Sequence, residues 1–138
     1  MTDWQSWGLL YLRLSGAVAL WTFHVQHKLA SLAVEVQTFP DPVGIGHAAS
    51  FVLAFGAEAG CSLLVALGVL TRLACVPIVA TMLMVLLLRA RGFQEADAEA
   101  ALLYGSLYGA LALLGPGGFV VSRLGNATSA PVLPARDA

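Results

Sequence analysis

The stretch AALLYGSLYGALALLGPGGFVVS, residues 100–122, contains no Asp, Glu, Lys or Arg. A helix needs about 20 largely apolar residues to cross the hydrocarbon core of a bilayer, and this stretch is long enough. A helix of a soluble four-helix bundle would instead carry a stripe of charged residues at every third or fourth position. The stretch therefore predicts a helix that spans a membrane.

The composition of the whole chain supports the same class. Of the 138 residues, 59% are hydrophobic and 11% are charged, whereas soluble domains carry about 25% charged residues. We predict an all-α, antiparallel four-helix transmembrane bundle with spans at about 8–29, 47–70, 73–89 and 97–115. Residues 1–124 form the membrane domain, and residues 125–138 are expected to be a flexible C-terminal tail. A net charge of −1 argues against a nucleic-acid partner.

The N-terminal segment lacks the basic region of a signal peptide, so the first span is expected to remain as an anchor. Four spans place both termini on the same side of the membrane. The basic residues are divided equally between the two ends of the spans, which leaves the orientation open under the positive-inside rule. The expected location is the inner membrane of a bacterium.

Two polar stripes indicate which helix faces point inward. Eleven residues return an α-helix to within about 20° of its starting direction, and this interval separates Arg13 from His24 and His47 from Glu58. If the first two spans pack antiparallel with His24 and His47 at the same depth, Arg13 and Glu58 also lie at one depth, because the two intervals are equal. Because a lone carboxylate is costly in hydrocarbon, we predict an Arg13–Glu58 ion pair. The pair either fixes the helix register or binds a polar ligand head and relays protons.

Other polar residues extend this candidate site. Tyr104 on the fourth span and Glu99 at its N-terminal end, which is the positive end of the helix dipole, are expected near the histidines. A pocket for a quinone ring needs an apolar slot and a few hydrogen-bonding groups. The predicted cofactor-binding residues are therefore Arg13, His24, His47, Glu58, Glu99 and Tyr104.

The sequence assigns no catalytic residue and no metal ligand. His24, His27 and His47 lie toward one end of the spans, and metal or haem binding stays open, but no carboxylate or thiolate stands at a ligand spacing. Lining of a polar pocket is the preferred interpretation. Two GxxxG segments, at 56–60 and 105–109, favour close helix packing. The first lies opposite Glu58 on its helix and leaves room for a second chain.

Short segments in a fixed order over residues 9–124 resemble the DoxX family of small membrane proteins. The segments are Leu10-Tyr11-Leu12-Arg13-Leu14 with Gly16, Phe23-His24, Lys28-Leu29, Glu58 with Gly60, Leu67-Gly68, Leu70-Thr71-Arg72-Leu73-Ala74, Met82, Arg91-Gly92-Phe93, Glu99 with Leu102-Leu103-Tyr104, and Leu114-Gly115-Pro116-Gly117. The resemblance implies a four-helix transmembrane bundle. It also implies an association with membrane oxidoreductase systems, among them relatives of a thiosulfate:quinone oxidoreductase subunit.

The leading functional hypothesis is an integral membrane subunit of a redox complex. It would anchor a partner that bears the redox cofactor, contribute a quinone or quinol site, and carry no redox cofactor of its own. Its expected partners are the lipid bilayer and another protein subunit or further copies of this chain. The alternative is a non-catalytic scaffold, assembly factor or lipid-binding protein. A transporter is disfavoured, because four spans with one charged pair leave little room for alternating access.

Overall fold

The computed structural model describes residues 3–93 and 96–121. These residues form helices and no strands: α1 (Asp3–Ala30), α2 (Leu32–Thr38), α3 (His47–Leu67), α4 (Thr71–Ala90) and α5 (Ala98–Leu114). Helices α1, α3 and α4 are long and apolar enough to cross a membrane, and α5 is apolar but shorter, with 17 residues. The all-helical class is confirmed, and the predicted C-terminal tail lies outside the described residues.

The connection between the first two spans is more helical than predicted. The predicted first span ended at residue 29, but after a break at Ser31 the chain forms α2, which packs against the beginning of α3. Proline disfavours the helical conformation in the residue before it, and α2 ends where Phe39 precedes Pro40 with an extended ψ of 137°. The chain therefore forms a second, short helix before the loop that leads to α3.

The remaining helix ends follow local chemistry. The side chain of Asp97 accepts a hydrogen bond from the backbone N–H of Ala100 at 3.0 Å and so caps the start of α5. Helix α5 ends at Gly115, whose φ of 84° favours glycine. Helix α3 ends at Gly68 in the left-handed conformation. These ends agree with the sequence prediction to within three residues.

The core lies where the long helices contact one another. The most extensive packing joins α4 to α5, while α1 contacts both α3 and α5 and α3 contacts α4. Gly16 lies where α1 contacts α5, and a Cβ there would stand 2.7 Å from Cδ2 of Leu107. The fully buried side chains at these contacts include Leu20, Val65, Cys75, Ile78, Tyr108 and Leu111.

Two π-helical turns interrupt the long helices. One covers Trp21–Val25 in α1 and the other covers Gly56–Cys61 in α3, and the two turns contact each other. Such turns are rare and occur frequently at functional sites. The first contains His24 and the second contains Glu58, so both residues lie on locally widened helix at the same level of the molecule.

Candidate functional site

A buried ion pair joins α1 to α3. Nζ of Lys28 lies 2.5 Å from Oε2 of Glu58, and the exposed fractions of the two side chains are 14% and 3%. The ammonium group also lies 5.4 Å from the centroid of the Phe39 ring, within the range of a cation–π contact. The carboxylate deep between the helices thus has a cationic partner, as its burial requires.

The predicted partner of Glu58 was wrong. Arg13 does not reach Glu58: its Nη2 donates a hydrogen bond to the carbonyl oxygen of Phe119 at 2.5 Å, and its Nη1 packs against Gly68. Gly68, at the C-terminal end of α3, follows Glu58 by ten residues, which corresponds to about 15 Å along a helix. The prediction set His24 level with His47, which placed Arg13 beside Glu58. In the structure His24 lies level with the π-helical turn around Glu58.

Arg13 connects three parts of the fold at the opposite end of α3. Its side chain is 1% exposed, and its guanidinium group lies beside the C-terminal end of α3, where the helix dipole favours a cation. The hydrogen bond to Phe119 holds the segment that follows α5 against α1. The ring of Phe119 also packs against the ring of Trp7, with centroids 4.6 Å apart. These contacts give Arg13 a role in holding the helices together.

A cavity of about 300 Å³ adjoins the Lys28–Glu58 pair. It lies where α1 and α4 finish and α5 begins, and its polar lining also includes His24, Glu35 and Asp97. The rest of the wall is formed by Phe39, Pro40, Thr81, Met82, Val85, Leu88, Phe93, Ala96 and Ala101. A mostly apolar cavity with a few converging polar groups is typical of a small-molecule site.

The structure brings three of the six predicted site residues together. His24 and Glu58 line the cavity, and the ring of Tyr104 packs edge-on against the ring of His24 with centroids 5.1 Å apart. The other three lie elsewhere. Arg13 is at the far end of α3, and Glu99 is exposed on the first turn of α5. His47 is exposed too, and its Nδ1 donates to the carbonyl oxygen of Phe39 at 2.5 Å.

Sequence reasoning missed Lys28 as a member of the site. It counted this residue among the basic residues at the ends of the spans and left it out of the predicted site, although His27 and Lys28 flank the polar stripe of Arg13 and His24. Lys28 follows His24 by four positions, and residues four apart share a helix face. That spacing was the available signal, although only the position of α3 shows that the face meets Glu58.

Asp41 was also missed, and it organises the loop of residues 39–46. Its carboxylate accepts hydrogen bonds from the backbone N–H groups of Gly46, Gly44 and Ile45 at 2.7, 2.9 and 3.0 Å. It also accepts one from the hydroxyl of Ser50 at 2.9 Å. These bonds, that from Gly46 above all, hold the pKa of Asp41 below its usual value. The loop that they shape supplies Phe39 and Pro40 to the cavity wall.

The chemical capacity of the site follows from this geometry. Lys28 offers a charged donor, Glu58 an acceptor, and the imidazole of His24 can serve as either. In the described ranges no three His, Cys, Asp or Glu side chains lie close enough together to hold a metal ion. The arrangement is suited to binding a small molecule that has hydrogen-bonding groups on an otherwise apolar frame.

Comparison with known proteins establishes the family. The model of the DoxX family matches residues 8–90, which run from α1 to the end of α4 and include His24, Lys28 and Glu58. The chain matches no curated protein and no solved structure. The match and the apolar helices together identify an integral membrane protein that contacts the lipid bilayer. Because the matched region covers more than half of the chain, the protein belongs to the DoxX family.

Proposed function

We propose that this protein is an integral membrane subunit of a redox complex and that it binds a quinone or quinol in the cavity beside Lys28 and Glu58. The observation that carries the proposal is a buried ion pair on the wall of a largely apolar cavity of about 300 Å³. A quinone has the matching chemistry, since its ring is apolar and its two oxygens are hydrogen-bonding groups.

The polar residues of the cavity take different hydrogen-bonding roles in the proposed complex. The ammonium group of Lys28 donates to a quinone carbonyl, and the carboxylate of Glu58 accepts from a quinol hydroxyl. His24, held against the ring of Tyr104, contacts the second oxygen as donor or acceptor. Hydrogen bonds to charged groups are about twice as strong as those between neutral groups, so a buried pair is an effective anchor for a small ring.

A redox partner is part of the proposal. Oxidation of a quinol releases two electrons and two protons, and the electrons require an acceptor. The sequence contains no nucleotide-binding or cofactor motif, so we assign the acceptor to a second, cofactor-bearing subunit that this chain anchors in the membrane. The chain is then at most a quinone-binding, non-catalytic subunit of an oxidoreductase.

The proposal includes the arrangement in the membrane. Helix α5, with 17 residues, is about 25 Å long and lies at the lower limit for a spanning helix. We assign it as the fourth span of an antiparallel bundle within a domain of residues 1–124. The two termini then face the same side of a bacterial inner membrane.

The test is to purify the full chain with its native lipids, extract the preparation and quantify bound quinone by mass spectrometry. We expect quinone in a fixed ratio to the wild-type protein and its loss in Lys28→Met. Arg91→Met, which removes an exposed charge in the turn after α4, is the matched control and should retain the quinone. Absence of both quinone and any redox partner from the wild-type preparation would overturn the proposal.

A second candidate function, a non-catalytic membrane scaffold, assembly factor or lipid-binding protein, is favoured by one observation. Gly56 and Gly60 leave an open strip on α3, where an added Cβ would meet nothing within 4 Å. Small residues allow helices of different chains to approach closely. Copurification of a stable partner without a redox cofactor, together with the absence of quinone, would favour this function.

A further inference from the structure

A second cavity, the apolar groove, lies between α3 and α4 and has a volume of about 310 Å³. The loop of residues 39–46 covers one end of it. Helix α3 contributes Ser50, Leu53, Ala54 and Ala57, helix α4 contributes Pro77, Ala80, Thr81, Met84, Val85 and Leu88, and the loop contributes Phe39, Pro40, Pro42, Val43 and Ile45. Small side chains on both helices leave the space open.

The groove has no free hydrogen-bonding side chain among these residues. The hydroxyl of Ser50 donates to Asp41, and the hydroxyl of Thr81 donates to the carbonyl oxygen of Pro77 at 2.9 Å. All other side chains of the groove are apolar. An occupant that carried polar groups would leave those groups unpaired, which is unfavourable in an apolar site. The chemistry of the walls therefore favours an apolar occupant over a polar one.

The apolar groove adjoins the polar cavity. Five residues line both spaces: Phe39, Pro40, Thr81, Val85 and Leu88. A molecule with a polar head beside Lys28 and Glu58 therefore has a neighbouring apolar space for its tail, between two helices that are long and apolar enough to span the membrane. The polar cavity suits the polar head of an amphiphile, and the apolar groove suits its hydrocarbon tail.

We infer that the apolar groove holds the isoprenoid tail of the quinone whose ring occupies the polar cavity, and that the tail leaves between α3 and α4 into the bilayer. This inference rests on the proposed function and narrows its ligand to quinones with long tails. Lipid is as apolar as the groove, so the groove gives a tail little hydrophobic gain. Its effect is steric, because a ring carrying a tail fits the polar cavity only if the tail has a path outward.

Blocking the groove tests the inference. Ala80 is exposed on the groove side of α4, so the ring in Ala80→Phe fills the groove without displacing a core side chain. Leu53→Trp narrows the groove from α3, where Leu53 is 65% exposed, and serves as a second variant in case the first fails to fold. Ala110→Phe, at an exposed position of α5 outside the groove, is the matched control.

The probes are 2,3-dimethoxy-5-methyl-1,4-benzoquinone and 2-methyl-1,4-naphthoquinone, each without a tail and with a tail of two isoprene units. Binding is the excess of quinone in nanodiscs that carry the full chain over empty nanodiscs of the same lipid. We expect the groove variants to bind tailed quinone at least tenfold more weakly and the bare ring within twofold of wild type. The Ala110→Phe control should bind both as the wild type does.

Equal affinity of wild type and groove variants for the tailed quinone would overturn the inference. So would an equal loss of bare and tailed quinone. In both cases binding of the bare ring to the wild type would leave the proposed function standing. If the wild type binds none of the four probes, the proposed function fails and the inference fails with it.

Discussion

The Lys28–Glu58 pair predicts a large and specific energetic coupling. Removing one member of a buried ion pair costs about 3–5 kcal/mol, because it leaves the other charge without compensation. Glu58 is 2% exposed, so Lys28→Met is expected to destabilise the protein by an amount in this range. Glu58→Gln should cost less, since the flexible side chain of Lys28 can extend its ammonium group toward water.

A double-mutant cycle isolates the pair. We expect Lys28→Met and Glu58→Gln to couple by about 1–3 kcal/mol, as residues in direct contact do. Arg13→Leu and Glu58→Gln should be additive within about 0.5 kcal/mol, because Arg13 packs against Gly68, which lies about 15 Å along α3 from Glu58. The measurement is reversible unfolding of the four variants of each cycle in mixed micelles. A stronger coupling of Glu58 to Arg13 than to Lys28 would refute the pairing described above.

Two further predictions concern the ends of α3. Gly68→Ala should destabilise the protein by about 1–2 kcal/mol or more in the same unfolding assay, because φ is 74° there and the new methyl group would overlap Nη1 of Arg13. Gly8→Ala, at an open helical position, should instead stabilise it by about 0.5–1 kcal/mol, and equal effects would contradict the Arg13 contact. The pKa of Asp41 is lowered in the folded protein, so its ionised carboxylate stabilises the folded state. This stabilisation is complete above the ordinary carboxyl pKa of about 3.9 and is lost as the pH falls through the lowered folded-state pKa. The difference in unfolding temperature between wild type and Asp41→Asn should follow that pH dependence, and a difference independent of pH would contradict it.

The apolar pattern of the chain was sufficient to predict the long helices. Helix α3 begins at His47 and α5 ends at Leu114, close to the predicted limits, because charge-free stretches and glycine–proline turns are local signals. The polar stripes also identified His24 and Glu58 as residues that face a shared interior. These two residues and Tyr104 form one side of the candidate site.

The partner of Glu58 was not predictable by the same means. The relative height of two antiparallel helices depends on where the chain turns back, and the apolar pattern did not reveal that the connection between α1 and α3 contains the helix α2. The π-helical turns are a second reason why the predicted faces were misplaced. An extra residue in a turn rotates the side chains that follow it by about 100° around the helix axis. The interval of eleven between His47 and Glu58 runs into one such turn. Side-chain spacing therefore located the polar faces but not their contacts.

Lys28 allows the most direct test of ligand binding at this site, because it is the only lysine in the chain. Acylation by an amine-reactive ester therefore modifies two places, Lys28 and the N-terminal amine, and peptide mass spectrometry measures both rates in one sample. We predict that saturating tailed quinone slows acylation of Lys28 at least tenfold and leaves the rate at the N-terminal amine unchanged. Acylation of Lys28 at the same rate with and without quinone would contradict the central claim that the ligand head lies against the Lys28–Glu58 pair.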